Sequence, residues 1–292
     1  MPRFHTGHLA LLLTATLFGI AFIFQRHSAT AVSALTFMSW RLPLSALMLL
    51  AVLALRRRPV WGHWLCDGIL CGILMFIGLY SQQWGLEHTT AGKSGFITSL
   101  YVILVPLLAL LGGERLGKTL LLATLLAFAG LTCFAAIHSD SAALNWNAGD
   151  STTLASAIIW ALYVNYYGIT VRRSDLLALT TVQISTAALL SLPLTLALEG
   201  AGALTDPALL NYSKWDILYT AIASSGIAFF LQGWGQRQVA ATPAAIILST
   251  ESIFAFLSGW LILDEPVTPL MLTGCALLFT AMTVAQLEPP KP

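Results

Sequence analysis

Charged residues are what this chain lacks most. Asp, Glu, Lys and Arg make up 9% of its 292 residues, where a soluble domain carries about 25%. So few charges do not cover a water-facing surface, and 57% of the residues are hydrophobic, with a mean hydropathy of +0.80. The formal net charge of +1 carries no information about partners. Cysteine is scarce as well. Cys66, Cys71, Cys133 and Cys275 fall inside or beside apolar runs, without the spacing of a metal site. The chain contains no HExxH, no GxSxG and no phosphate-binding loop. His5, His27, His63, His88 and His138 are scattered over loops and span ends. These absences leave no catalytic residues, cofactor, metal or ATP chemistry to expect, and the chain reads as something other than an enzyme.

Long apolar runs are what it has instead. Ten of them lie near 8–25, 34–55, 65–85, 92–111, 117–137, 150–170, 176–198, 215–236, 243–263 and 267–286. A helix of about 20 residues crosses the hydrocarbon core, so ten spans consume about 200 residues. What is left is too short for a soluble catalytic or nucleic-acid-binding domain. The runs are twice the length of a barrel strand and do not alternate apolar with polar. The expected fold class is therefore an all-α integral membrane protein. Its partners are a lipid bilayer and a small-molecule solute, with no nucleic acid, and the residues carry no signature of an oligomeric state. The run from Leu9 to Phe24, between Arg3 and Ala29-Thr30-Ala31, has features of a cleaved signal peptide. Its length, and the repeat described below, argue for a retained helix.

Lys and Arg set the orientation. Arg3, Arg56-Arg57-Arg58, Arg115, Lys118, Arg172-Arg173, Arg237 and Lys291 fall on one side of the alternating spans, and only Arg26, Lys93 and Lys214 on the other. The expected placement is a bacterial-type inner membrane, multi-pass, with both termini cytoplasmic. Trp61, Trp64, Trp84 and Trp215 fall at span ends, where tryptophan anchors the interface.

The chain also repeats itself. Gln82–Leu111 aligns without gaps on Gln232–Leu261, with identities that include Gln82/Gln232, Trp84/Trp234, Gly85/Gly235, Ala91/Ala241, Ile97/Ile247, Ser99/Ser249 and Leu111/Leu261. Each copy runs into an acidic break, Gly113-Glu114-Arg115 or Asp264-Glu265-Pro266. Upstream, Gly7 corresponds to Gly149 and Phe18-Gly19 to Trp160-Ala161. The ten spans are five used twice, divided at 1–138 and 149–288. Five is odd, so the second copy enters the membrane from the opposite side. Inverted repeats are a common basis of alternating access, with a site near the midplane between the halves.

In these features the chain resembles the drug/metabolite transporter superfamily, specifically its ten-helix EamA-type members, over essentially its full length. The resemblance is carried by Phe18-Gly19-Ile20-Ala21-Phe22, Arg41, Gln83-Trp84-Gly85-Leu86 through Thr90-Ala91 to Pro106, Gly149-Asp150 ahead of Ile159-Trp160-Ala161, and Ser249 to Glu265 with Gly274. Thr250-Glu251-Ser252 departs from the pattern, where members often have an apolar or proline-containing stretch. Members export amino acids, other metabolites and drugs, so the resemblance leaves the substrate class open. It implies that the first, third, fourth, sixth, eighth and ninth helices surround a central cavity.

Few polar groups lie at depth. Glu251 falls near the midplane of the ninth span, where an unpaired carboxylate costs several kcal/mol. It is either a proton-coupling or cation-binding group or the fixed partner of a neighbouring helix. Arg41 is the other deep ionisable residue, read as a snorkelling or ion-paired side chain or as a site for a substrate carboxylate; pairing with Glu251 is a further option. Tyr101 is the repeat counterpart of Glu251, with Thr98 one turn before it. Phe18 and Phe22, Phe76 and Tyr80, and Trp160, Tyr163 and Tyr167 offer aromatic edges to a solute or to helix packing. Ser225, within Ser224-Ser225-Gly226, marks close helix approach or a ligand contact. Gln82 and Gln232 are gate candidates at opposite mouths. Pro106 and Pro193 fall inside spans, and Glu114 and Glu265 at helix starts, where a negative charge meets the dipole.

The function these readings support is a secondary transporter that exports amino acids or related small metabolites by alternating access, with proton coupling through Glu251 or facilitated diffusion. A multidrug exporter is the rival within the class. A membrane-embedded lipid-modifying enzyme or a scaffold protein is the rival outside it.

Overall fold

A computed structural model of the chain describes residues 6–56, 61–88, 91–113, 116–137, 147–263 and 267–287. Among these residues the fold is all-helical, with one isolated bridge between Gly62 and Ser174. In a bilayer every backbone N–H and C=O needs an internal partner, which makes helices out of long runs of Leu, Ile, Ala and Val. The first three spans are α1 (Thr6–Ala29), α2 (Ala34–Leu55) and α3 (Trp64–His88). The fourth is built from α4 (Ala91–Ser99) and α5 (Tyr101–Leu111), and α6 (Lys118–Ile137) is the fifth. The second half holds α7 (Ala148–Arg173), α8 (Leu176–Leu198) and a short α9 (Ala201–Thr205). Its eighth span joins α10 (Pro207–Tyr219), a π-helical segment (Thr220–Ala228) and α11 (Phe229–Gln236). The ninth joins α12 (Ala241–Leu248) to α13 (Glu251–Leu263), and α14 (Pro269–Ala285) is the tenth. Among the described residues, seven helices are long and apolar enough to cross a membrane, and Ile97–Leu111, Lys118–Cys133 and Pro269–Ala285 are shorter apolar helices.

The eighth span starts earlier than its hydropathy suggests. The stretch from Gly200 to Ser213 reads as a connector, yet α10 begins at Pro207. Asp206 caps it by accepting from the Ala208 amide, and proline suits the first helical turn. Other starts follow the same chemistry. Ser33 accepts from Thr36 N, Asp175 from Ala178 N, and Asn147 and Asp150 form a reciprocal capping box at α7. The acidic breaks at Glu114 and at Asp264-Glu265-Pro266 lie outside the described residues.

Packing between the halves follows an inverted duplication. If the first to fifth spans correspond to the sixth to tenth, each contact has a counterpart. The first span packs on the ninth and the sixth on the fourth; the first packs on the eighth and the sixth on the third; the second packs on the eighth and the seventh on the third. Contacts between the second and seventh, fourth and ninth, and fifth and tenth spans are their own counterparts.

Glycines fix one crossing twice. A Cβ on Gly85 would strike Thr153 of α7 and lie 3.1 Å from Gly149 O, while one on its counterpart Gly235 would lie 2.6 Å from Leu11 Cγ and 2.9 Å from Gly7 O. Gly149 and Gly7 are themselves repeat partners, pressed against the partners His88 and Gln238. Small residues let helix backbones approach closely where lipid provides no hydrophobic drive. Gly85→Val and Gly235→Val are each expected to destabilise the detergent-solubilised protein by about 1–3 kcal/mol through overpacking. Gly202→Ala, at a position with open space, is expected to be neutral in the same thermal unfolding assay.

The face that carries both termini is tied by ion pairs. Arg173 makes two hydrogen bonds to Asp67, at 2.7 and 2.9 Å, and Tyr166 donates to the same carboxylate at 2.9 Å. Beside them Arg56 reaches Asp175 at 2.6 Å. Burial pushes the Asp175 carboxyl up, but the Arg56 hydrogen bond, the Ala178 amide and the nearby arginines outweigh it and hold the group below the usual carboxylate range. Its contribution to stability is therefore complete above about pH 4 and is lost as pH falls through the lowered value. Asp175→Asn, which keeps the cap, is expected to flatten that acidic limb in unfolding measured against pH.

Candidate functional site

The site is a cavity at the seam between the halves, holding about 550 Å³ of empty space counted out to its mouth. Its wall consists of Phe18, Phe22, Gln25, Arg41, Leu79, Gln82, Thr98, Tyr101, Trp160, Val164, Ser224, Phe229, Gln232, Leu248 and Glu251.

Most of this wall is made of repeat partners. In the registers set by Gly7/Gly149 and Gln82/Gln232, Phe18 corresponds to Trp160, Phe22 to Val164, Leu79 to Phe229, Gln82 to Gln232, Thr98 to Leu248, and Tyr101 to Glu251. Both members of each pair face the cavity. The remaining wall residues, Gln25, Arg41 and Ser224, break the symmetry.

Two interrupted helices position the midplane groups. α4 stops at Ser99 and α5 restarts at Tyr101, while α12 stops at Leu248 and α13 restarts at Glu251. At both breaks the backbone tightens to i→i+3 bonds: Leu100 N to Ile97 O at 3.2 Å, Thr250 N to Ile247 O at 3.1 Å and Ser252 N to Ser249 O at 3.2 Å. Hydroxyls take up carbonyls of the same turn, with Ser249 Oγ donating to Ile246 O at 2.8 Å and Thr250 Oγ1 sharing Ile247 O at 2.6 Å. The two breaks meet, Ser99 Oγ lying 3.0 Å from Ser252 Oγ and Tyr101 Oη donating to Glu251 Oε1 at 3.3 Å. Glu251 is thus the first residue of a half-helix, where the positive end of the dipole favours its charge. Gly19 lets α1 press onto this point, since a Cβ there would sit 2.5 Å from Glu251 O and from Phe254 Cβ.

Arg41 is 1% exposed, yet among the described residues no carboxylate lies within salt-bridge distance of it. Its guanidinium reaches Gln25 Oε1 at 3.4 Å and lies 5.5 Å from the centre of the Phe37 ring, while Nε has no partner among the described residues. Arg41 and Glu251 therefore share one wall without pairing. Thr98 Oγ1 is likewise buried and unpartnered.

The aromatic residues split into two layers. Phe18 and Phe229 meet edge to face at 5.0 Å, with Trp160 lying 6.0 Å from Phe229. Behind them Tyr163 is fully buried and donates to Gln183 Oε1 at 3.2 Å, and Tyr167 stacks on Tyr163 at 5.0 Å. Phe76 and Tyr80 stack on each other at 6.2 Å, outside the wall. The expected wall residues Phe76, Tyr80, Tyr163 and Ser225 are therefore not on it; Phe18, Phe22, Thr98, Tyr101, Trp160, Glu251, Gln82, Gln232 and Arg41 are.

Ser224 faces the cavity where Ser225 was expected, and the cause is local. The stretch from Asp216 to Gln232 is one residue longer than its counterpart from Asp67 to Gln82. The extra residue falls in the interval that contains the π segment, whose i→i+5 turns absorb an insertion without unwinding the helix. The bulge changes which serine faces inward and restores the register before Phe229 and Gln232. Ser225 is fully buried, and its Oγ has no partner among the described residues.

Polar links between the halves stand at both faces of the bundle. On the face of the termini, the third span's Asp67 binds the end of the sixth span through Arg173. On the opposite face the eighth span's Asp216 binds the end of the first span through His27 at 2.8 Å. Arg173 and His27 lie in the last turns of corresponding helices, and Asp67 and Asp216 at corresponding positions of the two repeats. The opposite face is tied further by Ser33 and Thr36, each donating to Glu199 Oε2 at 2.6 Å. Among the described residues no group of His, Cys, Asp and Glu could hold a metal.

Comparisons with known proteins agree with this architecture. A transporter of Archaeoglobus fulgidus, described as uncharacterized, is 29% identical over 281 residues, covering 96% of this chain and 85% of the relative. The uncharacterized transporter YoaV of Bacillus subtilis is 20% identical, covering 92% of this chain and 93% of its own. An uncharacterized Pseudomonas aeruginosa protein is 30% identical over 246 residues, covering 82% and 79%. A solved crystal structure superposes with a TM-score of 0.75 at 19% identity over 96% of both chains, which shows the fold. The EamA-like transporter family matches twice, at residues 5–136 and 147–286, so the chain belongs to that family and is a multi-pass membrane transporter.

Proposed function

We propose that this transporter exports amino acids or related small metabolites across a bacterial-type inner membrane by alternating access. The observation that carries the reading is the cavity wall of repeat partners at the seam. A site shared by two inverted halves is exposed to either face when one half rocks against the other. The halves, 1–138 and 149–288, are the rocking bodies. Asp67–Arg173 and His27–Asp216 are the links broken in turn. Gln82 and Gln232 stand at the two ends of the cavity as gates. The face of the termini is cytoplasmic, in keeping with its excess of Lys and Arg.

Glu251 couples transport to protons. Among the described residues it is the one carboxylate on the wall, and its hydrogen bond there comes from the neutral donor Tyr101. A proton and a cationic group of the solute then compete for it. The aromatic surface of Phe18, Phe22, Trp160 and Phe229 also favours a second reading, export of lipophilic cationic drugs. Uptake into liposomes holding the purified protein, screened over amino acids and cationic drugs with and without a pH gradient, separates the two. Gradient-dependent amino-acid movement is the expected result, and movement of drugs alone would replace it with the second reading.

A further inference from the structure

The charges in the cavity are divided between the halves. With Ser33 and Asp175 as corresponding caps of α2 and α8, the counterpart of Arg41 is Gln183. Gln183 is neutral, accepts from Tyr163 and is not on the wall. The counterpart of Glu251 is the neutral Tyr101. A site symmetric in shape is thus asymmetric in charge, with the first half supplying a cation and the second an anion. Among the described residues each charge has one long hydrogen bond, Arg41 to Gln25 at 3.4 Å and Glu251 to Tyr101 at 3.3 Å, and Arg41 Nε has none. A buried guanidinium without a counter-charge is retained at a cost, and the cost is offset when an anion binds it.

We propose that Arg41 and Glu251 are two charged subsites bridged by a single zwitterionic solute, its carboxylate on Arg41 and its ammonium on Glu251. The inference rests on the transport reading and narrows its substrate class. The apolar part of the solute lies against Phe18, Phe22, Trp160 and Phe229, whose ring faces also attract the ammonium. A bridging solute draws the halves together through both ends, so a solute with one charge holds only one half. That selects zwitterions over lipophilic cations without a separate filter.

The test is equilibrium binding by calorimetry to the full-length protein in nanodiscs. The probes are the L-amino acids, phenethylamine and 3-phenylpropionate as single-charge analogues of phenylalanine, and tetraphenylphosphonium. At least one apolar amino acid is expected to bind. Both single-charge analogues and the phosphonium should bind at least about tenfold more weakly, a difference of about 1.4 kcal/mol. Arg41→Gln should lower zwitterion affinity to that of the amine and leave phenethylamine affinity unchanged; Arg41→Lys should recover part of the preference. Glu251→Gln should do the converse, leaving 3-phenylpropionate unchanged. The inference is overturned if no amino acid binds, if a single-charge probe binds as tightly as the best zwitterion, or if Arg41→Gln weakens zwitterion and amine alike. Phosphonium binding without amino-acid binding would sink this inference while leaving the transport reading standing. Failure of the reconstituted protein to move any solute would sink both.

Discussion

Glu251→Gln is expected to abolish accumulation driven by a pH gradient, by about tenfold or more in initial rate, while downhill movement of the same solute persists. The substitution keeps the shape of the side chain and its hydrogen bond from Tyr101, and removes the ability to exchange a proton together with the negative charge that attracts the solute's ammonium, so the downhill movement that persists is read at saturating solute. The setting makes the effect large. Glu251 is 6% exposed, stands at the first turn of a half-helix and is the one carboxylate on the cavity wall. Its nearest repeat equivalent is a tyrosine, so no second acid in the other half can take over. Paired initial-rate assays in proteoliposomes, with and without the gradient, read this directly. Wild-type accumulation by the variant would make Glu251 a structural residue.

The second large effect concerns the two closures. Asp67→Asn is expected to favour the state open toward the face of the termini, and Asp216→Asn the state open toward the opposite face. A hydrogen bond to a charged group contributes about 1.5–3 kcal/mol, which is roughly tenfold to a hundredfold in the population of the closed form. Asp67 is buried and receives Arg173, Tyr166 and Ser174, so its effect belongs at the upper end. His27 is half exposed, so loss of its link to Asp216 belongs at the lower end. The opposite directions of the two shifts separate a gating role from general destabilisation, which would move both variants the same way. Side-specific labelling of a cavity cysteine in each background measures them.

Much of this was legible in the chain. Period and length identify the spans, and the registers Gly7/Gly149 and Gln82/Gln232 predict which halves of the cavity correspond. Both registers are visible again in the paired glycine crossings and in the wall residues. What was not legible depends on rotation and on local backbone. Phe76, Tyr80 and Tyr163 are aromatic residues on cavity helices, but hydropathy does not say which face of an all-apolar helix turns inward. Tyr163 is drawn to the far side by the Gln183 amide. The swap of Ser225 for Ser224 follows from the π segment, whose only trace in the sequence is the one-residue mismatch between the Asp67–Gln82 and Asp216–Gln232 intervals. The breaks at Leu100 and Ser249-Thr250 had a weak signal in the small hydroxyl residues Thr98-Ser99 and Ser249-Thr250. Gln25, Leu79, Val164, Phe229 and Leu248 have no chemical mark of their own; Val164 and Leu248 follow from applying the repeat register to Phe22 and Thr98, while Leu79 and Phe229 are partners of each other and follow from neither.

The central claim is that one cavity, built from partners in two inverted halves, is exposed to each face in turn. Ser224→Cys tests it in a background whose free cysteines, Cys66, Cys71, Cys133 and Cys275, are replaced by serine or alanine. Membrane-impermeant maleimide is applied separately to right-side-out and inside-out vesicles. Labelling from both sides, with Asp67→Asn raising it from the face of the termini and Asp216→Asn from the other, is the predicted result. Labelling confined to the same single face in all three backgrounds would contradict the account.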